Sequence, residues 1–244
     1  MSAKKSNETK LALKEEMEEW YKTPDPWKFK DTLSDLVRRK VFLRHLEYAF
    51  DNFPIRDVLD AACCEGFLTL DPAKAYDVKI DAFDISENAI KYAKQNYSAE
   101  NINYFSSDIR EFETTKQYDL ALCEEALYYL NDAERKQAIQ KFHAILKQDS
   151  FLKFSDISIG WLGTRYYFTI EDIRNLFAEN GFEIISMYPN ELLRNRFIRT
   201  TLLRIANKLF SITKWKVIVD IVTNITLRSS LEAGKHVSVL AKKV

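Results

Sequence analysis

The groups best spaced for chemistry are in residues 58–70, Val-Leu-Asp-Ala-Ala-Cys-Cys-Glu-Gly-Phe-Leu-Thr-Leu, together with Asp84, which follows Gly66 by 18 positions. An apolar strand there runs into a turn of small residues and then into a helix. Asp84 ends a second strand-like run, Val78-Lys-Ile-Asp-Ala-Phe-Asp84. A small-residue turn lets a ligand approach the backbone, and a carboxylate about 20 residues further on can accept both hydroxyls of a ribose. Of the glycines that a pyrophosphate-binding turn uses, only Gly66 is present, so the pattern fits a nucleoside without a pyrophosphate. A second concentration of reactive groups, Glu124, Glu125, Tyr128 and Tyr129, stands where the apolar run Tyr118-Asp-Leu-Ala-Leu-Cys ends.

These groups need rigid elements to position them. From Pro54 onward the pattern alternates, with strands expected near 56–61, 78–83, 102–106, 118–124 and 150–155 and helices near 66–75, 86–97, 132–147 and 169–180. Such alternation predicts an α/β fold, a parallel sheet covered by helices on both faces. Ser86 is placed as an N-cap, and Thr169-Ile-Glu-Asp172 as a capping box. Gly181 ends that helix, Phe182 to Tyr188 forms the next strand, and His236 to Lys242 alternates as a last strand. Ahead of the sheet, residues 8–22 read as an amphipathic helix stopped by Pro24 and Pro26, and Leu33 to Phe50 as a second helix. His45, His143 and His236 fall on expected helices or the last strand, away from the strand ends where ligands bind, and are not taken as catalytic bases.

The chain has 244 residues, enough for one domain with additions. Lysine plus arginine equals aspartate plus glutamate at 36 each, so no global charge steers it toward nucleic acid. The opening residues lack an apolar core segment, and no run reaches the ~18 apolar residues of a spanning helix. A cytoplasmic location is expected. Three cysteines, two of them adjacent, give neither a disulfide framework nor metal-ligand spacing. Four parts follow: an N-terminal helical lid (1–53), a ligand-binding core (54–189), a basic helical insertion (190–231) and the final strand of the core (232–244). The insertion holds eight basic residues, Arg194, Arg196, Arg199, Arg204, Lys208, Lys214, Lys216 and Arg228, against Glu191 and Asp220, a net charge of +6. Basic residues beside leucine, phenylalanine and Trp215 suit a cap over the site, a homodimer contact or peripheral contact with an anionic membrane.

The order of strand, small-residue loop, helix and acid-ended strand resembles the class I S-adenosylmethionine-dependent methyltransferases, over nearly the whole chain. Three further motifs resemble the nodulation protein S-like small-molecule N-methyltransferases: Asp25-Pro26-Trp27, Arg38-Arg39-Lys40 and Glu125-Ala-Leu-Tyr128-Tyr129-Leu130. The resemblance implies a Rossmann-like three-layer sandwich with a mostly parallel seven-stranded sheet and an antiparallel last strand. It also implies S-adenosyl-L-methionine as cofactor. Asp60, Ala62, Cys64 and Gly66 then match the loop that wraps the methionine part. The family usually has glycine at positions 62 and 64, so alanine and cysteine suit the loop where positive φ is not needed. Asp84, beside Ile85, matches the ribose acid, and Asp108-Ile109 matches the pair that receives adenine. Arg38 offers a fork for the cofactor's carboxylate, and Trp27 and Glu124 are placed on the cofactor side.

Methyl transfer from a sulfonium is an in-line displacement, and alignment alone can supply about 7 to 11 kcal/mol of its acceleration. Aromatic walls at Trp27, Tyr128 and Tyr129 would exclude water and favour a passing cation. Glu125, with Glu124 second, is the candidate to favour product-side charge or to take a proton, provided burial raises its pKa. The loop Ser158 to Tyr167, with Trp161, Arg165 and Tyr166, suits an acceptor-binding lid. The reading is transfer to an amine, or next a hydroxyl, of a small molecule such as a sugar or glycolipid. The rival readings are a non-catalytic S-adenosylmethionine-binding protein and a membrane-peripheral scaffold with a vestigial fold.

Overall fold

The computed structural model describes residues 12–26, 33–157, 168–190, 216–231 and 236–244. Its centre is a seven-stranded sheet of β1 (Asp57–Ala61), β2 (Lys79–Asp84), β3 (Ile102–Ser106), β4 (Tyr118–Glu124), β5 (Leu146–Ile157), β6 (Phe182–Pro189) and β7 (His236–Lys243). They lie in the order β3-β2-β1-β4-β5-β7-β6. The first five run parallel, while β7 is antiparallel to both β5 and β6. This is the sheet that the sequence predicts.

Alternation along each central strand explains why these segments read as continuous apolar runs. Successive side chains point to opposite faces, and both faces here are covered. Val58, Ile80, Leu120, Leu122, Phe151 and Leu240 pack with Phe42 and Leu46 of α2 (Leu33–Asn52), Ala73 of α3 (Leu70–Ala75) and Ile90 and Ala93 of α4 (Glu87–Asn96). Their neighbours Leu59, Phe83, Ala121, Cys123, Leu152 and Val239 pack with Ile139 and Phe142 of α5 (Asp132–Ile145) and Ile173 and Phe177 of α6 (Ile170–Glu179). With no wet face, every strand position favours an apolar residue.

Local signals set the helix ends. Ser86 Oγ accepts from Ala89 N at 3.2 Å, and Thr169 and Asp172 form the reciprocal box, at 3.0 and 2.7 Å. Gly181 ends α6 with φ +79°. The helix expected over 66–75 begins only at Leu70, because residues 62–69 are spent on the turn that leaves β1. In the insertion, α7 (Lys216–Arg228) docks on α2, Val219 and Val222 meeting Leu33, Leu36 and Val37. Lys40 also pairs with Asp220, one of that segment's two acids. Residues 191–215, Trp27 and the loop bearing Trp161, Arg165 and Tyr166 lie outside the described residues.

Candidate active site

Strand order reverses between β1 and β4: from β1 the sheet grows one way to β2 and β3, from β4 the other way to β5. The crevice beyond the carboxyl ends of such a pair is where open α/β sheets bind ligands. The turn after β1 is built around three left-handed residues, Ala62 (φ 61°), Cys64 (φ 52°) and Gly66 (φ 80°). Positions 62 and 64 therefore do adopt positive φ, so the condition under which alanine and cysteine would suit the loop is not met. Alanine and cysteine hold the conformation that glycine adopts without penalty, at roughly 1–2 kcal/mol each. Their retention is bounded by contacts that fasten the turn. Cys63 N donates to Phe83 O at 2.9 Å and Gly66 N to Cys63 O at 2.9 Å. Gly66 itself cannot change, since a Cβ there would overlap the Tyr104 hydroxyl.

Asp84, at the end of β2, is 5% exposed. Its two oxygens accept from Cys64 N at 2.9 Å and Ser86 N at 3.0 Å. Burial pushes its carboxyl up to about 6 against the pull of those amides. Each oxygen keeps a second lone pair, so the group remains able to accept from a pair of hydroxyls. Asp60, behind the turn, takes a 2.6 Å hydrogen bond from Thr69 Oγ1. Burial raises it to about 7, the nearby acids Glu124 and Asp84 adding to the rise. A bound ammonium would draw this carboxyl back to its ionised form. Asp108 is clamped by Arg110, whose Nε lies 2.9 Å from both carboxylate oxygens, and Arg110 reaches on to Glu134 at 3.5 Å. Ile109 packs beside Phe105 and Phe112 against the core.

Helix α1 (residues 12–20) lies against this crevice. Leu13, Met17 and Tyr21 are buried with Ala89, and Cys64, Ile85 and Tyr129 pack on the same cluster. Glu18 fixes the helix there by accepting from Glu87 N at 2.6 Å, Asn88 N at 3.1 Å and Ser86 Oγ at 2.9 Å. A carboxylate is well suited to the N-terminus of α4, where unpaired amides and the helix dipole both favour negative charge. Lys14 and Glu87 add an ion pair at 2.8 Å, and Asp25 N donates to Glu65 at 2.7 Å.

Beyond Tyr129 the site becomes one of side chains. The 3₁₀ turn Leu127–Tyr129 is held by the buried guanidinium of Arg135, which donates to Leu127 O at 3.1 Å and lies 4.0 Å over the Phe168 ring. It sets the Tyr128 and Tyr129 hydroxyls 2.6 Å apart. Burial, then Tyr129 and Glu125, raise the Tyr128 phenol so that it stays protonated. Glu125 has φ 56°, which turns its side chain from the β4 direction toward three partners. These are His236 Nδ1 at 2.7 Å, Ser155 Oγ at 3.2 Å and Arg38 Nη2 at 3.3 Å. Burial alone would raise its carboxyl, but the His236 and Arg38 charges and these hydrogen bonds outweigh it and hold Glu125 at about 2. The sequence expectation of a raised pKa is thus corrected. Glu125 is an ionised anchor and not a proton acceptor near neutrality.

Glu124 faces inward and pairs with the fully buried Lys153 at 2.6 Å, while the one Ser155 proton is shared between Glu124, 2.8 Å away, and Glu125. Lys153 is pulled down by burial against the Glu124 charge. Arg38 lies against Glu125 and near Asp35 at 3.9 Å, whereas its neighbour Arg39 is spent on Asp71 and the Phe67 ring. The placement of His236 away from the strand ends is overturned. Because β7 is antiparallel, its first residue pairs with Ile157, the last of β5, and so stands at the carboxyl edge. An antiparallel last strand was itself the signal that could have found it.

A family model described as a methyltransferase domain matches residues 58–149. Curated relatives include a malonyl-[acyl-carrier protein] O-methyltransferase of Acetivibrio thermocellus, 33% identical over 102 residues that make up 41% of this chain and 35% of that protein. Nodulation protein S of Sinorhizobium fredii is 26% identical over 132 residues, 53% of this chain and 59% of the relative. The chain thus spans between about a third and three-fifths of the length of these relatives. Among solved structures, the N-methyltransferase NodS from Bradyrhizobium japonicum WM9 in complex with S-adenosyl-L-homocysteine superposes with a TM-score of 0.66 at 17% identity, covering 94% of this chain and 97% of that one. The left-handed turn after β1, the buried acid ending β2 and these likenesses agree: residues 58–149 match a methyltransferase domain, and the chain as a whole shares the fold of the NodS N-methyltransferase.

Proposed function

We infer that the chain methylates an amine, or next a hydroxyl, of a small molecule, with a sugar or glycolipid as the leading acceptor class. The observation that carries this reading is the continuity of the site. Cys64 and Ile85, beside the nucleoside acid Asp84, pack on the same cluster as Tyr129, whose hydroxyl meets Tyr128, one turn from the ionised Glu125. When bound, S-adenosylmethionine supplies a methyl group on a sulfonium, ready for a nucleophile approaching in line. Asp84 would accept the ribose hydroxyls, and Asp60 would face the methionine ammonium. Asp108 and the Ile109 amide would receive adenine, the acid exchanging one of its four hydrogen bonds from Arg110 for the adenine amino group. Tyr128 and Tyr129, with Met17 and Tyr21 of the N-terminal segment, exclude water and present aromatic faces to a cation. Glu125, kept negative by its partners, favours positive charge arriving on the acceptor, which suits nitrogen.

The test pairs calorimetry with transfer of labelled methyl. S-adenosylhomocysteine should bind Asp84→Asn roughly 10- to 100-fold more weakly than wild type, the equivalent of one charged hydrogen bond. Equal affinity would remove Asp84 from the site. Methyl-tritiated S-adenosylmethionine, offered a panel of amino sugars and hydroxylated sugars, should label at least one. Binding without any labelled product would favour the non-catalytic reading.

A further inference from the structure

His236 has no role in the reading above, yet it is the histidine that the fold brings to the reacting end. We propose that His236 is the base that takes the proton the methyl acceptor gives up, and that Glu125 is the positioning residue that fixes its ring. The proposal rests on the methyl-transfer reading and deepens it.

The geometry gives the ring a defined polarity. His236 Nδ1 lies 2.7 Å from Glu125 Oε2. Toward an ionised carboxylate that nitrogen must carry the hydrogen, which leaves the Nε2 lone pair for another proton. Among the described residues no hydrogen bond is made to Nε2 of His236. In His45 and His143 the Nε2 atoms are buried without a partner, so neither of those nitrogens meets a ligand. The His236 side chain is 19% exposed, sheltered yet reachable. Its backbone is fixed on two sides, paired with Ile157 and with its carbonyl accepting from Asn190 N at 2.8 Å.

The groups around the pair come from every element that meets there. Arg38 of α2 holds the other oxygen of Glu125, and Ser155 of β5 touches that oxygen too. Glu124 is neutralised by Lys153. Tyr128 stands one turn beyond Glu125. Asp156, on β5 next to Ser155, is fully buried, and burial followed by the Glu125 charge pushes its carboxyl well up, against the pull of Arg135 and of the Ile157 and Tyr128 amides. The carboxylate in contact with the ring is Glu125. A base oriented by a third group is the arrangement that activates a nucleophile.

In the step, the acceptor's lone pair forms a bond to the methyl carbon and the sulfur–carbon bond breaks, its electron pair returning to sulfur as a thioether. The proton on the acceptor's oxygen or nitrogen passes to His236 Nε2, and the imidazolium pairs with Glu125 before releasing that proton to water. An acceptor of this site accordingly bears an O–H or N–H. A tertiary amine or a thioether would gain nothing from the base.

Histidines number three in the chain, so the full-length protein labelled with ¹⁵N-histidine gives a readable spectrum in which His236→Gln identifies the signal. With saturating S-adenosylhomocysteine, the neutral His236 ring should show the Nδ1–H tautomer in wild type and shift toward Nε2–H in Glu125→Gln. In the labelled-methyl assay, His236→Gln should lower kcat by about 10²- to 10⁴-fold with the affinity for S-adenosylhomocysteine within threefold of wild type. Added imidazole should restore part of the loss in His236→Gly. An Nε2–H tautomer in wild type, or a His236→Gln variant that binds S-adenosylhomocysteine and transfers methyl at the wild-type rate, overturns the assignment. Failure of the underlying reading looks different: wild type itself then neither binds S-adenosylhomocysteine nor transfers the label.

Discussion

The two ends of the crevice are made in different ways. At the nucleoside end, the acid Asp84 and the amides of Cys64 and Ser86 that position it come from a stretch of 23 residues, 62–84, and its next two neighbours, and the contacts run mostly through backbone. At the acceptor end, one carboxylate, Glu125, is held by Arg38, Ser155 and His236, partners 87, 30 and 111 positions away. A backbone-built site tolerates changes of side chain as long as the turn persists, which is how Ala62 and Cys64 can stand in left-handed positions. A side-chain-built site has less tolerance, since losing Glu125 leaves Arg38 and His236 without their shared partner.

That contrast can be broken most directly at Glu125. Glu125→Gln leaves Arg38 and His236 facing a neutral amide in a mostly buried setting, and a loss of about 2–4 kcal/mol of unfolding free energy at pH 7 is expected. The wild-type carboxyl is depressed on folding, from an ordinary 4.5 to about 2. Its contribution is therefore full above the unfolded value and disappears as pH falls through that window. In urea titrations of both proteins the gap at pH 3 should be less than half of that at pH 7; a constant gap would mean that charge is not what Glu125 supplies.

Asp60 should behave in the opposite sense. Its carboxyl rises on folding from 3.8 to about 7, so the folded state holds the proton more tightly and stability falls as pH climbs through that range. Asp60→Asn removes the penalty while keeping an acceptor for Thr69. Relative to wild type it should gain up to about 4 kcal/mol at pH 8 and about half a kcal/mol at pH 4. Thermal melts across pH would show this, and a difference independent of pH would remove ionisation of Asp60 as the cause.

The smallest effect is expected where the site is made of backbone. Ala62→Gly or Cys64→Gly relieves a left-handed side chain, offset by the greater freedom of glycine when unfolded, for a net gain of up to about 1 kcal/mol. S-adenosylhomocysteine affinity should stay within threefold, by calorimetry. A large loss of affinity in either variant would mean that the side chain, and not the turn, touches the ligand.

The sequence alone was enough for the turn after β1, for the acid that ends β2 and for the sheet, because their signals are local. Continuous apolar runs, small residues after β1, an acid at a fixed spacing and capping residues such as Ser86 and Thr169 each act within a few residues of themselves. Even there, the positive φ of Ala62 and Cys64 was hidden, since neither residue type advertises it. The acceptor end was legible only as a set of residue types. Whether Glu125 would be raised or lowered depends on which cations approach it, and Arg38 and His236 arrive from α2 and β7 only when the sheet closes. Sequence determined the strand that bears His236 and even its direction; tertiary pairing of that strand against β5 decided that an imidazole stands beside Glu125, because Coulomb interactions and hydrogen bonds act through space and take no account of separation along the chain.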